Sequence, residues 1–259
     1  MEGDQRFTQP HQERPTLRGI YFTVLRPSLA EFWGVFFLTF GLYSSSALLE
    51  AEKPPQPQPG GDPGGFVGTI AVVFLYIGIY SITRSISGGH LNPIITLIQM
   101  GRKATFPLVG VCYLGAHLLG AVLGALSVEA ITEVSPASQS LKPFFGTGHA
   151  IFGEMIGTAI VILAYLTLAN QSKGNTAILG IGFGYAGALL AVHSAASGYL
   201  NPVLNFGIAV ASGTWTKHYV YWVGTALGGI IATILHGLIF ASDDQLWIKS
   251  RNYVPERIA

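Results

Sequence analysis

Two near-copies, "SGGHLNP" at residues 87–93 and "SGYLNP" at residues 197–202, interrupt a chain that is otherwise strongly apolar. Each ends in Asn-Pro, a pair suited to starting a helix. Asparagine caps a helix N-terminus because its side-chain oxygen accepts a first-turn N–H. Proline is favoured at the first helical position, where its missing N–H is not needed. Asn92-Pro93 therefore predicts a short helix over 92–100, and Asn201-Pro202 a slightly longer one over 201–212. Neither is long enough to cross a hydrocarbon core about 30 Å thick.

The surroundings are those of a membrane protein. Of 259 residues, 50% are hydrophobic and only 10% charged, against about 25% charged in soluble domains. Mean hydropathy is +0.48, and the 33 glycines suit close helix packing in lipid. A formal charge of +1 excludes a nucleic-acid binder driven by bulk electrostatics. The single cysteine, Cys112, excludes an intrachain disulfide and reads as an inert apolar-segment thiol. The polar first 27 residues show no apolar leader core.

Six segments are long enough to span a bilayer as helix: 28–49, 66–86, 106–130, 149–170, 176–195 and 217–241. The fold class expected is an all-α integral membrane protein with six transmembrane helices and two re-entrant half-helices. Its domain would cover 28–241, between polar tails at 1–27 and 242–259, both expected in the cytoplasm. The Pro- and Gly-rich stretch 50–65 reads as a non-helical surface loop. With both termini inside, eleven basic residues fall on the inner side and only Lys53, Lys142 and Lys217 outside, which satisfies the positive-inside rule. The sequon Asn170-Gln171-Ser172 then lies inside and is expected to stay unglycosylated.

The chain repeats itself. "AEFWGVFFLTFG" from Ala30 parallels "GEMIGTAIVILA" from Gly153, aligning Glu31 with Glu154. Asn92 aligns with Asn201, and Gly115 and Gly120 with Gly224 and Gly228. The half-repeats, 28–130 and 149–241, each hold three spans, an odd number, so they enter the membrane from opposite sides. Such an inverted repeat places a substrate path at the bilayer midplane. It would bring the two half-helix N-termini together there, their positive dipole ends opposing cations and their asparagine N–H groups serving as donors.

These paired Asn-Pro motifs, glutamates and glycines together resemble the aquaporin (major intrinsic protein) family over about residues 28–241. The resemblance implies a pore in each protomer of a homotetramer, carrying water or small neutral solutes passively across a plasma or intracellular membrane. It implies no cofactor, no metal and no enzymatic activity, and no catalytic constellation is visible. It also implies that Glu31 and Glu154 accept hydrogen bonds from the loops before the half-helices, with a proton relay as the alternative. His117 occupies a structural position where the family often has glutamine. His90 would line the inner vestibule. Arg84 reads equally as a vestibule cation or a lipid-snorkelling one, and His193 as a capped loop histidine or a weak pH sensor.

Departures from the family pattern bear on selectivity. The motif Asn-Pro-Ala is here Asn92-Pro93-Ile94 and Asn201-Pro202-Val203. The bulkier Ile94 and Val203 at the pore midplane either shift the constriction or are compensated by packing. The filter arginine is replaced by Leu204, and the remaining filter positions fall at Val72, at Ala188 or Leu189, and at the Gly198 carbonyl. Such a ring is apolar and offers little to replace water's lost hydrogen bonds. Asn205, Ala209 and Tyr221-Trp222 match the water-channel rather than the glycerol-channel pattern. A passive water channel is the expectation. The alternatives are a broader glycerol, urea or hydrogen peroxide channel, or a poorly conducting membrane scaffold or junction protein.

Overall fold

The computed structural model describes residues 16–51, 63–132, 146–169, 174–196, 198–242 and 246, and among these every regular element is helical. A short α1, Leu17–Ile20, opens on Thr16, whose hydroxyl accepts the Gly19 N–H at 3.0 Å. One π-helical turn, Tyr21–Leu25, joins it to α2, Arg26–Ala51. Six long helices follow the sequence reading: α2, α3 (Pro63–Ser87), α5 (Pro107–Thr132), α6 (Thr147–Leu168), α7 (Gly174–Ala196) and α9 (Tyr219–Leu235). A π turn, His236–Phe240, extends the last. Among the described residues five of these contain stretches long and apolar enough to cross a membrane. The sixth long helix is α2, whose 26 residues extend about 39 Å at 1.5 Å per residue.

Two boundaries differ from expectation. Helix begins at Leu17, inside the stretch read as a polar tail. Helices α2 and α3 also reach into the segment read as wholly non-helical, ending at Ala51 and restarting at Pro63. Proline is no obstacle there, because at a helix start its absent N–H has no partner to lose. The sequon at 170–172 lies outside the described residues.

Helices α2, α3 and α5 pack together, as do α6, α7 and α9, and α3 meets α7 between the two groups. Each group closes on glycine. A Cβ on Gly120 would lie 2.4 Å from the Phe32 carbonyl, and one on Gly228 2.4 Å from the Met155 carbonyl. Phe32 and Met155 directly follow the repeat-related Glu31 and Glu154, so Gly120 and Gly228 correspond, as the sequence suggested. The other proposed pair does not hold. Gly115 is exposed and a Cβ there would touch nothing, whereas Gly224 lies against Glu154 and Ile151. The position matching Gly224 is Ala116, one residue on, so the contact stripes are Ala116-Gly120-Gly124 and Gly224-Gly228-Ala232.

The half-helices are α4, Pro93–Gly101, and α8, Pro202–Ser212, with 9 and 11 residues. They pack mainly on α5 and α9. The two sides are unequal. In α8, Gly207 sits against the backbone of Ala121, 2.3 Å from its carbonyl by the position of a built Cβ. The equivalent α4 residue is Ile98, and it faces Gly229. An apolar cleft of about 370 Å³ opens there, lined by Ile94, Leu97, Ile98, Ala226, Gly229, Ile230, Thr233 and Ile234.

Candidate channel site

The two Asn-Pro junctions are near-superimposable in conformation. Asn92 has φ −148° and ψ 127°, and Asn201 φ −155° and ψ 112°. Each accepts a first-turn N–H through Oδ1, Asn92 from Ile94 at 2.9 Å and Asn201 from Val203 at 3.3 Å. The residue before each is a leucine in the left-handed region, Leu91 at φ 53° and Leu200 at φ 54°. A β-carbon resists that region. Both leucines are held there by seats of glycine: Leu91 Cδ2 occupies the space a Cβ on Gly34 would take, and Leu200 Cδ2 that of Gly157. Gly34 and Gly157 each stand three residues after their glutamate.

The junctions also hold each other. Asn92 Nδ2 donates to the Leu200 carbonyl at 2.9 Å, and Asn201 Nδ2 donates to the Leu91 carbonyl at 2.7 Å. An amide carries two N–H groups, so one on each asparagine is committed to this lock and the other makes no hydrogen bond among the described residues. The sequence reading left these groups free as donors; the structure commits one on each asparagine to architecture.

Both glutamates accept hydrogen bonds from the loops before the half-helices. Glu31 is fully buried and accepts at both oxygens: Oε1 from the His90 N–H (2.8 Å) and the Ser87 hydroxyl (2.6 Å), Oε2 from the Leu91 N–H (2.6 Å). His117 Nε2 completes Oε2 at 2.7 Å. Glu154, equally buried, accepts from Tyr199 N–H at 3.0 Å and Leu200 N–H at 2.8 Å. The position corresponding to His117 is Thr225, whose hydroxyl bonds back to its own helix at Tyr221 O. Among the described residues the second glutamate thus has no histidine partner where the first has one.

His90 is buried, its Nδ1 3.0 Å from Thr96 Oγ1 and its ring edge-on to Tyr113. It forms part of a polar cavity of about 350 Å³ with Arg84, Ser87, Gly88, Gln99, Thr105 and Tyr165. Arg84 donates to the Ala169 carbonyl at 3.2 Å and lies in the wall of this cavity. The cavity is on the side where α9 ends, since Arg102, just past α4, meets His236 at the end of α9.

The filter positions are distributed as follows. Val72 is in α3, Ala188 and Leu189 in α7, Gly198 before the second junction at φ 66°, and Leu204 in the first turn of α8. All four side chains are buried, so burial does not choose between Ala188 and Leu189. Ile94 turns to α9, its Cγ2 filling the space above Gly229, while Val203 is buried beside Asn201. His193 is helical in α7, and its side chain lies outside the described residues. A feature the sequence reading missed is a run of buried tyrosines, Tyr76, Tyr80, Tyr165 and Tyr185. Its signal was available: Tyr76 and Tyr185 both precede their asparagine by 16 residues.

At the start of α9, His218 Nδ1 lies 2.6 Å from Asn205 Oδ1, and its Nε2 accepts from Trp222 Nε1 at 2.8 Å. Indole is a donor only, which fixes a neutral ring with its proton on Nδ1. Burial holds the His218 pKa below the ordinary histidine value.

Comparison with known proteins agrees with this architecture. The sequence profile of the family described as major intrinsic protein matches residues 20–236. A probable TIP-type aquaporin of Medicago truncatula is 31% identical over 235 residues, covering 88% of this chain and 92% of that one. Aquaporin TIP2-3 of Arabidopsis thaliana is 35% identical over 187 residues, covering 69% and 74%. Among solved structures, the aquaglyceroporin of Plasmodium falciparum superposes with a TM-score of 0.63 at 19% identity, over 82% of this chain and 95% of that one. That last likeness concerns the fold alone.

Proposed function

We propose a passive water channel from one premise: this chain belongs to the major intrinsic protein family. The observation that carries the reading is the reciprocal asparagine lock, which leaves one N–H of Asn92 and one of Asn201 beside two facing half-helix N-termini. A water passing there turns its oxygen to both donors and its hydrogens away from them. The positive helix ends oppose cations, and the reorientation breaks a continuous proton wire.

Support for a water-sized cargo comes from Asn205, which is buried behind the second junction and tied to His218. In this reading both termini face the cytoplasm, and the polar cavity around His90 is the inner vestibule. Val72, Ala188 or Leu189, Gly198 and Leu204 form an outer ring without fixed charge. The exposed apolar residues of α2 and α3, Trp33, Phe37 and Phe74 among them, supply surface for lipid and for the neighbouring subunits of a homotetramer.

Osmotic shrinkage of reconstituted vesicles tests the function. Water permeability well above empty vesicles, with the low temperature dependence of pore flow, is expected; permeability equal to empty vesicles refutes it. Leu204 in place of a cation favours a second reading, a channel that also admits small neutral solutes. A glycerol- or urea-driven reswelling phase that disappears on Leu204→Arg establishes that reading.

A further inference from the structure

The tyrosine run occupies the wall opposite the asparagines. The half-helices pack on α5 and α9, while α3 and α7 pack on each other, so the path between junctions and bundle is bounded on its far side by α3 and α7. Tyr76 of α3 and Tyr185 of α7 meet there. Their ring centroids are 4.1 Å apart and the planes within 5° of parallel. Because each stands 16 residues before its asparagine, the operation that exchanges Asn92 and Asn201 also exchanges the two rings. The stack therefore sits on the pseudo-two-fold axis, at the level of the amide lock.

The same helix faces carry the outer ring. Val72 lies one turn from Tyr76, and Ala188 and Leu189 lie three and four residues from Tyr185, spacings that share a face. Toward the inner cavity the run continues: Tyr80 lies parallel to Tyr76 at 6.3 Å, and Tyr165 meets Tyr80 edge-on at 6.3 Å. Tyr165 then donates to the Gly88 carbonyl at 3.0 Å, closing the run on the first junction's own loop. Among the described residues the Tyr76 and Tyr185 hydroxyls make no hydrogen bond. Both rings keep slight exposure, 5% and 3%.

We propose that Tyr76 and Tyr185 are the residues that set solute size in this channel, an aromatic clamp facing Asn92 and Asn201 across the midplane. The apolar outer ring offers neither charge nor hydrogen bonds, so it discriminates poorly between water and a small polyol. The clamp supplies both missing elements. Its stacked rings narrow the path and resist spreading, and its two hydroxyls give a single file of water partners that a bulkier polyol cannot reach. This inference rests on the water-channel reading and extends it from the conducted species to the place where larger ones are rejected.

Three proteins reconstituted at matched density test it: wild type, Tyr76→Val/Tyr185→Val and Tyr76→Phe/Tyr185→Phe. The valine pair should gain glycerol permeability at least about tenfold over wild type, about 1.4 kcal/mol off the barrier. The phenylalanine pair should still exclude glycerol but pass water more slowly. A valine pair with wild-type water flow and unchanged glycerol exclusion overturns the clamp and leaves the water channel standing. If wild type is impermeable and the valine pair conducts, the clamp is upheld as a closure and the water reading of wild type fails. If neither conducts, both fail. Should the valine pair not fold, Tyr76→Cys in a Cys112→Ser background decides: mercury must block its water flow, and absence of block overturns the clamp.

Discussion

Glu31 and Glu154 occupy equivalent places yet carry different loads, which makes their replacement by glutamine a measure of what each junction needs. Glutamine keeps one acceptor oxygen and turns the other position into a donor. At Glu154 one oxygen serves Tyr199 N–H and the other Leu200 N–H. Glu154→Gln therefore loses one bond to a backbone donor that cannot turn away, and weakens the other from charge-assisted to neutral. Charged hydrogen bonds contribute about 1.5–3 kcal/mol and neutral ones about 0.5–1.5, so the cost is about 2.5–4.5 kcal/mol. At Glu31 each oxygen accepts two bonds. Whichever way the amide faces, one backbone N–H is lost, one side-chain partner must rearrange, and two bonds lose charge assistance, for about 4–6 kcal/mol in all. Thermal unfolding in detergent should place Glu31→Gln below Glu154→Gln, and both below wild type. Water permeability should fall in the same order, because the loops that each glutamate holds present the asparagines. Equal midpoints, or Glu154→Gln the less stable, would refute the assignment of unequal loads.

Other consequences are open to direct measurement. Gly120→Ala and Gly228→Ala each bring a Cβ to 2.4 Å from a backbone carbonyl, an overpacking expected to cost about 1–3 kcal/mol; Gly115→Ala, in open space, should be neutral or slightly stabilising in the same unfolding assay. Asn92→Leu strands the Leu200 carbonyl and the Ile94 N–H, at about 1–3 kcal/mol each, and should abolish water flow before it abolishes folding. His218 is neutral with its pKa lowered by burial. The stabilisation from that arrangement is complete above the unfolded-state pKa and is lost as pH falls through the lowered folded value. Protonation sets a second N–H against the Trp222 indole, so an acid-side change in tryptophan fluorescence is expected, absent in His218→Phe and in Trp222→Phe.

Much of the path was legible because the residues that build it are costly in lipid. Asparagine, proline and paired glutamates have few reasons to sit among apolar runs, and α4 and α8 begin at Pro93 and Pro202 as the Asn-Pro motif dictates. The one-residue slip at Gly115 has the opposite origin. Helices that are apolar all round show no hydrophobic face, so only the contact geometry distinguishes the exposed Gly115 from the Ala116-Gly120-Gly124 stripe. Tyr76 and Tyr185 were passed over for the same reason: in a greasy span a tyrosine carries no flag until its partner is seen across the axis. The left-handed Leu91 and Leu200 could be read only through their seats, since Gly34 and Gly157 lie nearly 60 and 45 residues away in sequence.

The amide lock also dictates an order of assembly. Asn92 finds its acceptor 108 residues downstream, and Leu91 finds its donor 110 residues downstream. While the chain is being made, the first re-entrant segment has no protein partner for these groups, and irregular backbone in lipid must be satisfied or stay wet. The first three helices can insert as they emerge, but their loop cannot be completed until the second half arrives. Both loops then close in a single event. In a Cys112→Ser background, a ribosome-tethered fragment ending before residue 197 should leave a cysteine substituted for the buried Ile95 accessible to water-soluble labels, while the full chain should protect it. Pore formation in this protein is thus the last step of its biogenesis, shared equally by two halves that enter the membrane from opposite directions.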